Sequence, residues 1–330
     1  MHTVQNAAGA DEPSAVIRAW ARRRVGGEIA AVRPVAGRPG GPRVWELTRA
    51  DAARFFLKVA AEPAGYTRET RAYRHAVPAL GHAHAPVLVD SDPGRLALLL
   101  TAVPGGSAAA LAPGHEDRTE LYRQAGRLLR RLHDACEAGP AGGADAWADV
   151  HHAAAEERAA ALSAAGELGA AECRMLRERA ATLRLLPPLP AAFLHGDVRE
   201  HHFLWDAAGR RLALVGFARA RRGCAAEDLV RVVCGAARQD PALRAAFLRG
   251  YGRELTDAER YALPVLAALD AAGVMERGVR HGDRRAVAQA RNVIGALVDG
   301  SGSSVSPGKP ATAVVTRPFP ARPAAGTARG

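Results

Sequence analysis

The spacing of apolar residues changes along the chain, and each change predicts a different kind of element. Within residues 12–24, Val16, Ile17, Trp20 and Ala21 recur at helical spacing before a glycine pair, which predicts one amphipathic helix. Short runs rich in β-branched and aromatic residues follow, and they predict a small antiparallel sheet. The predicted strands are 29–35, 44–47, 55–59, 86–89 and 96–101, with a helix at 67–75 before the fourth.

After the break at Pro104-Gly105-Gly106 the pattern becomes mainly helical. A predicted helix at 116–135 carries its leucines on one face. One segment interrupts the helices: short apolar runs at 192–194 and 203–205 flank a polar loop, and a third apolar run lies at 212–217. The further predicted helices are 227–233, 242–248, 257–272 and 284–297. The chain should therefore divide near residue 103 into a β-rich part and a helix-rich part.

Length and composition predict a globular protein. The chain has 330 residues, of which 48% are hydrophobic and 24% charged, enough to bury a large core. We find no run of eighteen uncharged apolar residues, and no leader in which a basic stretch precedes an apolar one. The prediction is therefore a cytoplasmic protein without a membrane partner. The four cysteines lie far apart without zinc spacing, which argues against a structural zinc or a disulfide framework.

The net charge of +11 could indicate nucleic-acid binding, but its distribution does not support that class. Residues 301–330 carry four basic side chains and no acid, and their Ser, Gly, Pro and Ala content predicts disorder. Elsewhere basic residues alternate with acids, and no basic ribbon interleaves with aromatic residues. Positive charge equally suits a small anionic ligand such as a nucleotide.

The polar loop between the short apolar runs carries the candidate chemistry. It reads His195-Gly196-Asp197-Val198-Arg199-Glu200-His201-His202. An aspartate held between two strands, Asp197, can accept a proton from a substrate hydroxyl, and a donor five residues later, His202, can hold a metal ion or the loop itself. With the strand end 214–217 behind it, this stretch resembles the aminoglycoside phosphotransferase family, relatives of the protein kinases whose catalytic loop reads H-G-D-x-x-x-x-N.

Further segments resemble landmarks of the same family, in the same order along residues 28 to 298. Lys58 in Phe55-Phe56-Leu57-Lys58-Val59 resembles the lysine that pairs with nucleotide phosphates, and Glu69 resembles the helix glutamate that orients it. Thr101 and Val103 lie where the family binds adenine at the hinge between its lobes. Residues 129–133 and 225–229 match two further landmarks.

The resemblance implies an α+β, two-lobed protein-kinase-like fold, with a small antiparallel sheet in one lobe and mainly helices in the larger one. The implied division is an amino-terminal helix at 1–27, a nucleotide-binding lobe at 28–103, a catalytic and substrate lobe at 104–298, and a disordered tail at 299–330. Asp228, in the last landmark, is expected to cap its helix and to brace the catalytic loop.

Two positions depart from the family pattern. His202 replaces the usual asparagine, as in the macrolide phosphotransferases, and neutral imidazole can still bind a divalent ion although Mg²⁺ prefers oxygen. Gly216 replaces the metal-binding aspartate and has no ligand atom, so Gly216→Asp should restore one if metal placement is the only defect. Glu200 and Asp206 could in principle reach a metal, but we expect both to be solvated loop acids.

The implied function is ATP-dependent phosphorylation of a hydroxyl group on a small molecule, a natural product or a peptide Ser/Thr side chain. Asp197 and His195 are the predicted catalytic residues, His202 is the predicted metal ligand, and ATP with Mg²⁺ are the predicted cofactors. The loss of the carboxylate at Gly216 favours an alternative, a catalytically impaired pseudokinase that binds a nucleotide or a partner. The acceptor and the oligomeric state have no readable signature in the sequence.

Overall fold

The computed structural model of the chain describes residues 12–35, 41–135, 144–236 and 240–298. The predicted disordered tail, residues 299–330, lies outside these ranges. No helix among the described residues is both long enough and apolar enough to cross a membrane.

The first part of the chain forms the predicted antiparallel sheet of five strands, in the order β1-β2-β3-β5-β4. Strand β3 lies at the centre, between β2 and β5, and Lys58 on β3 is paired in register with Leu98 on β5. The predicted fourth strand begins two residues later than expected and extends to Asp92. The strands are β1 (Ile29–Val35), β2 (Arg43–Arg49), β3 (Arg54–Val59), β4 (Leu88–Asp92) and β5 (Ala97–Thr101).

Alternation along the strands separates the two faces of this sheet. On one face, Leu57 and Leu99 pack with Trp20 of the amino-terminal helix α1 (Ala15–Val25). On the other face, Leu98 and Leu100 join the large core of the helical part. Neighbouring side chains of a strand point to opposite faces of the sheet. Lys58, the residue after Leu57, therefore lies on this second face, on the side of helix α2 (Pro63–His75).

The second part of the chain is mainly helical, as predicted. Its largest interface joins α4 to α8, where Leu121, Leu128 and Leu132 are buried in the same core as Phe247. The predicted helix 257–272 continues for nine more residues as α9. The helices are α3 (Ala108–Leu111), α4 (His115–Asp134), α5 (Ala144–Ala164), α6 (Ala170–Thr182), α7 (Ala225–Val230), α8 (Pro241–Tyr251), α9 (Asp257–His281) and α10 (Arg284–Val298).

Five short strands surround the polar loop and hold it in place. The loop leaves β7 and enters β8, but these strands do not pair with each other: β8 pairs with β6 and β9, whereas β7 pairs with β10. The sequence pattern did not predict β6 or β10, because strands of two to four residues are too short to show an alternation. The strands are β6 (Gly106–Ser107), β7 (Ala191–Leu194), β8 (Phe203–Asp206), β9 (Arg211–Leu214) and β10 (Arg221–Cys224).

The α+β class and the kinase-like arrangement of a small antiparallel sheet with a helical part are confirmed. Strand β5 ends at Thr101, and the next strand in the chain, β6, pairs with β8. The segment after the sheet is therefore hydrogen-bonded to the strand that follows the polar loop. The lobe boundaries at residues 27, 103 and 298 stay a prediction.

Candidate active site

Strand β3 and helix α2 bring Lys58 and Glu69 together. Lys58 Nζ lies 2.7 Å from Glu69 Oε1 and 2.6 Å from Oε2, and the Glu69 side chain is only 1% exposed. A carboxylate buried this deeply needs a cationic partner, and the pair fixes the flexible lysine stem in one direction. The structure thus brings together the two residues that the sequence predicted as a phosphate-binding pair.

The two predicted hinge residues, Thr101 and Val103, differ in whether their backbone amides already have a hydrogen-bond partner. The Thr101 amide donates to Val87 O at 2.9 Å, and its hydroxyl accepts from Val87 N at 2.9 Å, so Thr101 closes the end of the sheet. The amide of Val103 makes no hydrogen bond within the described part of the chain. Of the two predicted hinge residues, Val103 is thus the one whose amide has no partner among the described residues.

Asp228 holds the polar loop from behind. Its carboxylate accepts from the amide of His195 at 2.6 Å and from the amide of Gly196 at 2.8 Å. His133 Nε2 lies 3.2 Å from the same carboxylate, and His133 Nδ1 is 2.7 Å from the Tyr251 hydroxyl. The expected brace is confirmed.

The expected helix cap at Asp228 is wrong. Asp228 is the fourth residue of α7, whereas the N-cap residue is Cys224, whose amide donates to Glu227 at 2.9 Å. Burial alone would raise the pKa of Asp228, but its bond to His133 and the charges and backbone donors around it lower that pKa below the usual range. Asp228 therefore stays a carboxylate that orients the loop backbone.

His195 is fixed within the loop by both ring nitrogens, and its catalytic role stays a prediction. Its Nε2 donates to Val215 O at 2.9 Å, and its Nδ1 accepts from Asp197 N at 3.2 Å, so both ring nitrogens are used. Burial lowers the pKa of His195, which keeps the imidazole neutral. Gly196, next to it, has φ +77°, and a β-carbon there would overlap the carbonyl of Arg219. Only glycine fits this turn.

Asp197 is surrounded by arginines. Its carboxylate pairs with Arg231, lies 2.9 Å from Arg199 Nε, and lies 3.7 Å from Arg219 Nη1. Burial acts to raise the pKa of Asp197, but the charges of these three guanidinium groups lower it to about 2. Asp197 is thus an ionised hydrogen-bond acceptor at neutral pH and a weak proton acceptor.

Sequence reasoning missed these three arginines. They come from three elements: Arg199 from the loop itself, Arg219 from the turn Phe217–Arg219 after β9, and Arg231 from the residue after α7. The one sequence signal is that Arg231 follows Asp228 by three residues, which places both on one helical face.

His202 occupies the space beside Gly216. Its Nδ1 lies 2.8 Å from the carbonyl of Asp197, an acceptor, so Nδ1 carries the proton and Nε2 carries the free lone pair. A β-carbon at Gly216 would overlap the His202 ring and would lie 2.5 Å from Nε2, and Gly216 has φ +87°. The His202 imidazole therefore fills the space that a side chain at position 216 would need.

The residues present do not fit Mg²⁺. Asp197, His201 and His202 each place one ligand atom within 4.8 Å of the others. Two of these donors are imidazole nitrogens, whereas Mg²⁺ requires oxygen, and the single carboxylate is already engaged by arginines. His202 is thus placed beside Asp197 as predicted, but the set lacks the oxygen ligands that the predicted cofactor needs.

The two other loop acids lie apart from this cluster. Glu200 accepts from Arg118 Nη2 at 2.8 Å and from the Tyr122 hydroxyl at 2.7 Å, so the expectation of a solvated acid is wrong for Glu200. It fastens the loop to α4, because these partners lie on that helix. Asp206 ends β8 in the turn before β9, half-buried. Neither carboxylate substitutes for the one missing at Gly216.

A cavity of about 250 Å³ opens beside the loop, between α5, α7 and α9. Gly196, Val198 and Arg231 line its edge nearest Asp197. The remainder is lined partly by apolar residues of α5, α7 and α9 and partly by basic and acidic side chains: Arg158, Arg221, Arg277, His151, Glu227, Asp228 and Asp270. A larger cavity of about 350 Å³ lies between α2 and β4, but no loop residue lines it.

We expect acid to destabilise the protein through His202. Burial, with smaller effects from neighbouring histidines, lowers the pKa of His202 from 6.5 to about 3. The unfolded chain then binds more protons than the folded one below pH 6.5, so this contribution is complete above pH 6.5 and is lost as pH falls toward 3. At pH 5 the loss should be about 2 kcal/mol of unfolding free energy, measured by urea denaturation.

His202→Asn should flatten this slope between pH 6.5 and pH 5, although the lowered pKa of His195 retains a part of it. His75→Asn, at an exposed position on α2, should leave the slope unchanged. An unaltered slope in His202→Asn would contradict a neutral, buried His202.

Comparison with known proteins gives a consistent result. The model of the phosphotransferase enzyme family (APH) matches residues 33–264, more than half of the chain. No curated protein matches the chain.

Solved structures share the fold at low sequence identity. The macrolide 2'-phosphotransferase MphH from Brachybacterium faecium has 19% identity and a TM-score of 0.58, covering 86% of this chain and 98% of its own. The GDP complex of wild-type aminoglycoside 2'-phosphotransferase-IIIa has 13% identity and a TM-score of 0.63, covering 88% and 100%. A gentamicin complex of APH(2")-IIa has 14% identity and a TM-score of 0.60, covering 86% and 96%.

Proposed function

The chain belongs to the phosphotransferase enzyme family, and from this premise we propose that it transfers a phosphoryl group from ATP to a hydroxyl group. The observation that carries the proposal is the buried Lys58–Glu69 pair beside the Asp197 loop. Arg68, which precedes Glu69 on α2, donates to the carbonyl of Ala218 at 2.9 Å, so the helix that carries the pair lies against the turn beside the loop.

The chain's own residues divide the work as follows. The Val103 amide is a free donor for the nucleotide base, and Lys58, held by Glu69, binds the phosphates. Asp197 orients the acceptor hydroxyl and takes its proton late, because a carboxylate with a pKa of about 2 is a weak base at neutral pH. No step is assigned to Mg²⁺, which the donor set does not fit.

The acceptor is proposed to enter the cavity of about 250 Å³ that reaches Gly196 and Val198. Two acidic side chains that line this cavity are already paired. Asp270 is bound by Arg231 at 2.7 and 3.0 Å, and Glu227 pairs with Arg221. Two neighbours were solved with the aminoglycosides gentamicin and kanamycin. The arginine-rich lining here favours a hydroxyl compound without several positive charges, which leaves small molecules, natural products and peptides as classes.

A binding module without turnover is the second candidate, and two observations favour it. Asp197 is held by three guanidinium groups, and Gly216 has no carboxylate. A nucleotide-binding module would bind ATP without turnover, whereas a partner-binding module need not bind ATP.

Labelling of Lys58 tests the nucleotide site directly. Lys58 and Lys309 are the only lysines of the chain. An acyl-phosphate analogue of ATP, which acylates amines near the triphosphate, should modify Lys58 and should be blocked by excess ATP, as read by peptide mass spectrometry. Lys309 serves as the internal reference for non-specific acylation. Equal labelling of both lysines, with no protection by ATP, would contradict the proposed site.

Lys58→Ala should weaken ATP binding by about tenfold or more in calorimetry, because a charge-assisted contact to phosphate is lost. Arg174→Ala removes an exposed charge on α6 and should leave the affinity unchanged.

A further inference from the structure

The region around Asp197 carries an excess of positive charge. Arg199, Arg219 and Arg231 lie against its carboxylate, and Asp270 accepts two bonds from Arg231. Arg277 lines the same cavity as Arg231 and Asp270, and burial together with the charges of Arg219, Arg231 and Arg199 lowers its pKa. Four guanidinium groups thus face two carboxylates.

Several of these guanidinium groups lack a full set of partners among the described residues. The Nε atom of Arg199 is buried without a hydrogen bond, although it lies 2.9 Å from the Asp197 carboxylate. Arg219 has its nearest acid at 3.7 Å, beyond hydrogen-bond distance, and Arg277 makes neither a hydrogen bond nor an ion pair. Arg199 and Arg277 are half-buried and Arg219 is exposed, and the unused donors of these three cations constitute an anion-binding surface.

This surface lies where the nucleotide phosphates are proposed to bind. Arg68 on α2 donates its Nε to the carbonyl of Ala218 at 2.9 Å, which fastens the residue before Arg219 to the helix that carries Glu69. The turn that carries Arg219 therefore lies against helix α2, on the side of the proposed nucleotide cleft. The same cleft lacks the carboxylate at Gly216 that would attract a divalent cation, and the arginines repel one.

We propose that Arg199 and Arg219 bind the terminal phosphate of the nucleotide and supply the positive charge that a divalent cation supplies in other phosphotransferases. This inference rests on the proposed function, because ATP is the anion that the cleft receives. A guanidinium group matches phosphate with two parallel N–H bonds, and it retains its charge throughout the neutral range. Nucleotide binding by this chain is therefore independent of divalent metal.

Calorimetry with ATP and ADP, each in EDTA and in Mg²⁺, tests this proposal on the full chain. The Kd for ATP in EDTA should lie within about threefold of the Kd in Mg²⁺. In EDTA, Arg219→Gln should weaken ATP by about tenfold and ADP by less than threefold, since only ATP offers the terminal phosphate. Arg199→Gln should act in the same direction, and Arg174→Gln should change neither affinity.

Arg219 makes no hydrogen bond among the described residues, so its replacement should leave the thermal midpoint unchanged. The comparison of EDTA with Mg²⁺ uses the wild-type protein and does not depend on a variant. ATP binding that appears only with Mg²⁺ overturns this inference and leaves the proposed function standing. An unchanged ATP affinity in both arginine variants overturns it as well. Absence of ATP binding under either condition, with no labelling of Lys58, overturns the proposed function itself.

Discussion

Asp197→Asn should lower phosphoryl transfer by about 10²- to 10⁴-fold, the usual loss when a positioned proton acceptor is removed. The amide keeps the shape of the side chain but cannot carry the charge or take the proton of the acceptor hydroxyl. Turnover is measured as release of ADP from ATP, with water and with a panel of uncharged and anionic hydroxyl compounds as acceptors.

The same substitution should leave ATP bound, and this separates loss of chemistry from loss of structure. Asp197→Asn removes one negative charge from beside Arg199, Arg219 and Arg231, so those groups should attract the phosphates more strongly. Asp206→Asn, outside the cluster, is the matched control and should retain full turnover. A wild-type rate in Asp197→Asn would contradict the mechanism, and a wild type without turnover on any acceptor would favour the binding module.

Much of the fold could be predicted because its elements are long enough to show their periodicity. Helix α1 was predicted from four apolar residues at helical spacing, and strand β5 from a short apolar run, which the structure buries on both faces of the sheet. Strand β10 could not be predicted, because Arg221 and Arg222 show no strand pattern and the segment is extended only through its pairing with β7. The extra turns of α9 were missed because they continue beyond the apolar stretch that marked it.

Site residues could be predicted where they lie on elements with a recognisable order in the sequence. They could not be predicted where packing brings distant residues together. Lys58 and Glu69 lie on successive elements with recognisable patterns, and the structure joins them in one ion pair. The arginines around Asp197 converge from separate elements, so no local spacing indicated them. The contact between Gly216 and His202 likewise joins the ends of two strands, so no local spacing indicated it. It shows that a side chain at position 216 would overlap the His202 ring.

Gly216→Asp should destabilise the protein instead of restoring a metal ligand, which reverses the sequence-based expectation. The new β-carbon would overlap the His202 ring, and Gly216 has φ +87°, a conformation that is unfavourable for residues with a β-carbon. Overpacking and backbone strain together should cost about 3 kcal/mol of unfolding free energy, measured by urea denaturation.

The double variant Gly216→Asp with His202→Asn separates the two costs. Asparagine is smaller than histidine, so it should relieve the overlap and leave only the backbone strain of about 1 kcal/mol, partly tolerated by aspartate. The two substitutions should therefore couple, with the double variant about 2 kcal/mol more stable than Gly216→Asp alone. The double variant also places two oxygen donors where the wild type has an imidazole, so its ATP binding should strengthen with Mg²⁺ while that of the wild type does not. Stability of Gly216→Asp equal to the wild type would show that the His202 ring does not occupy this space.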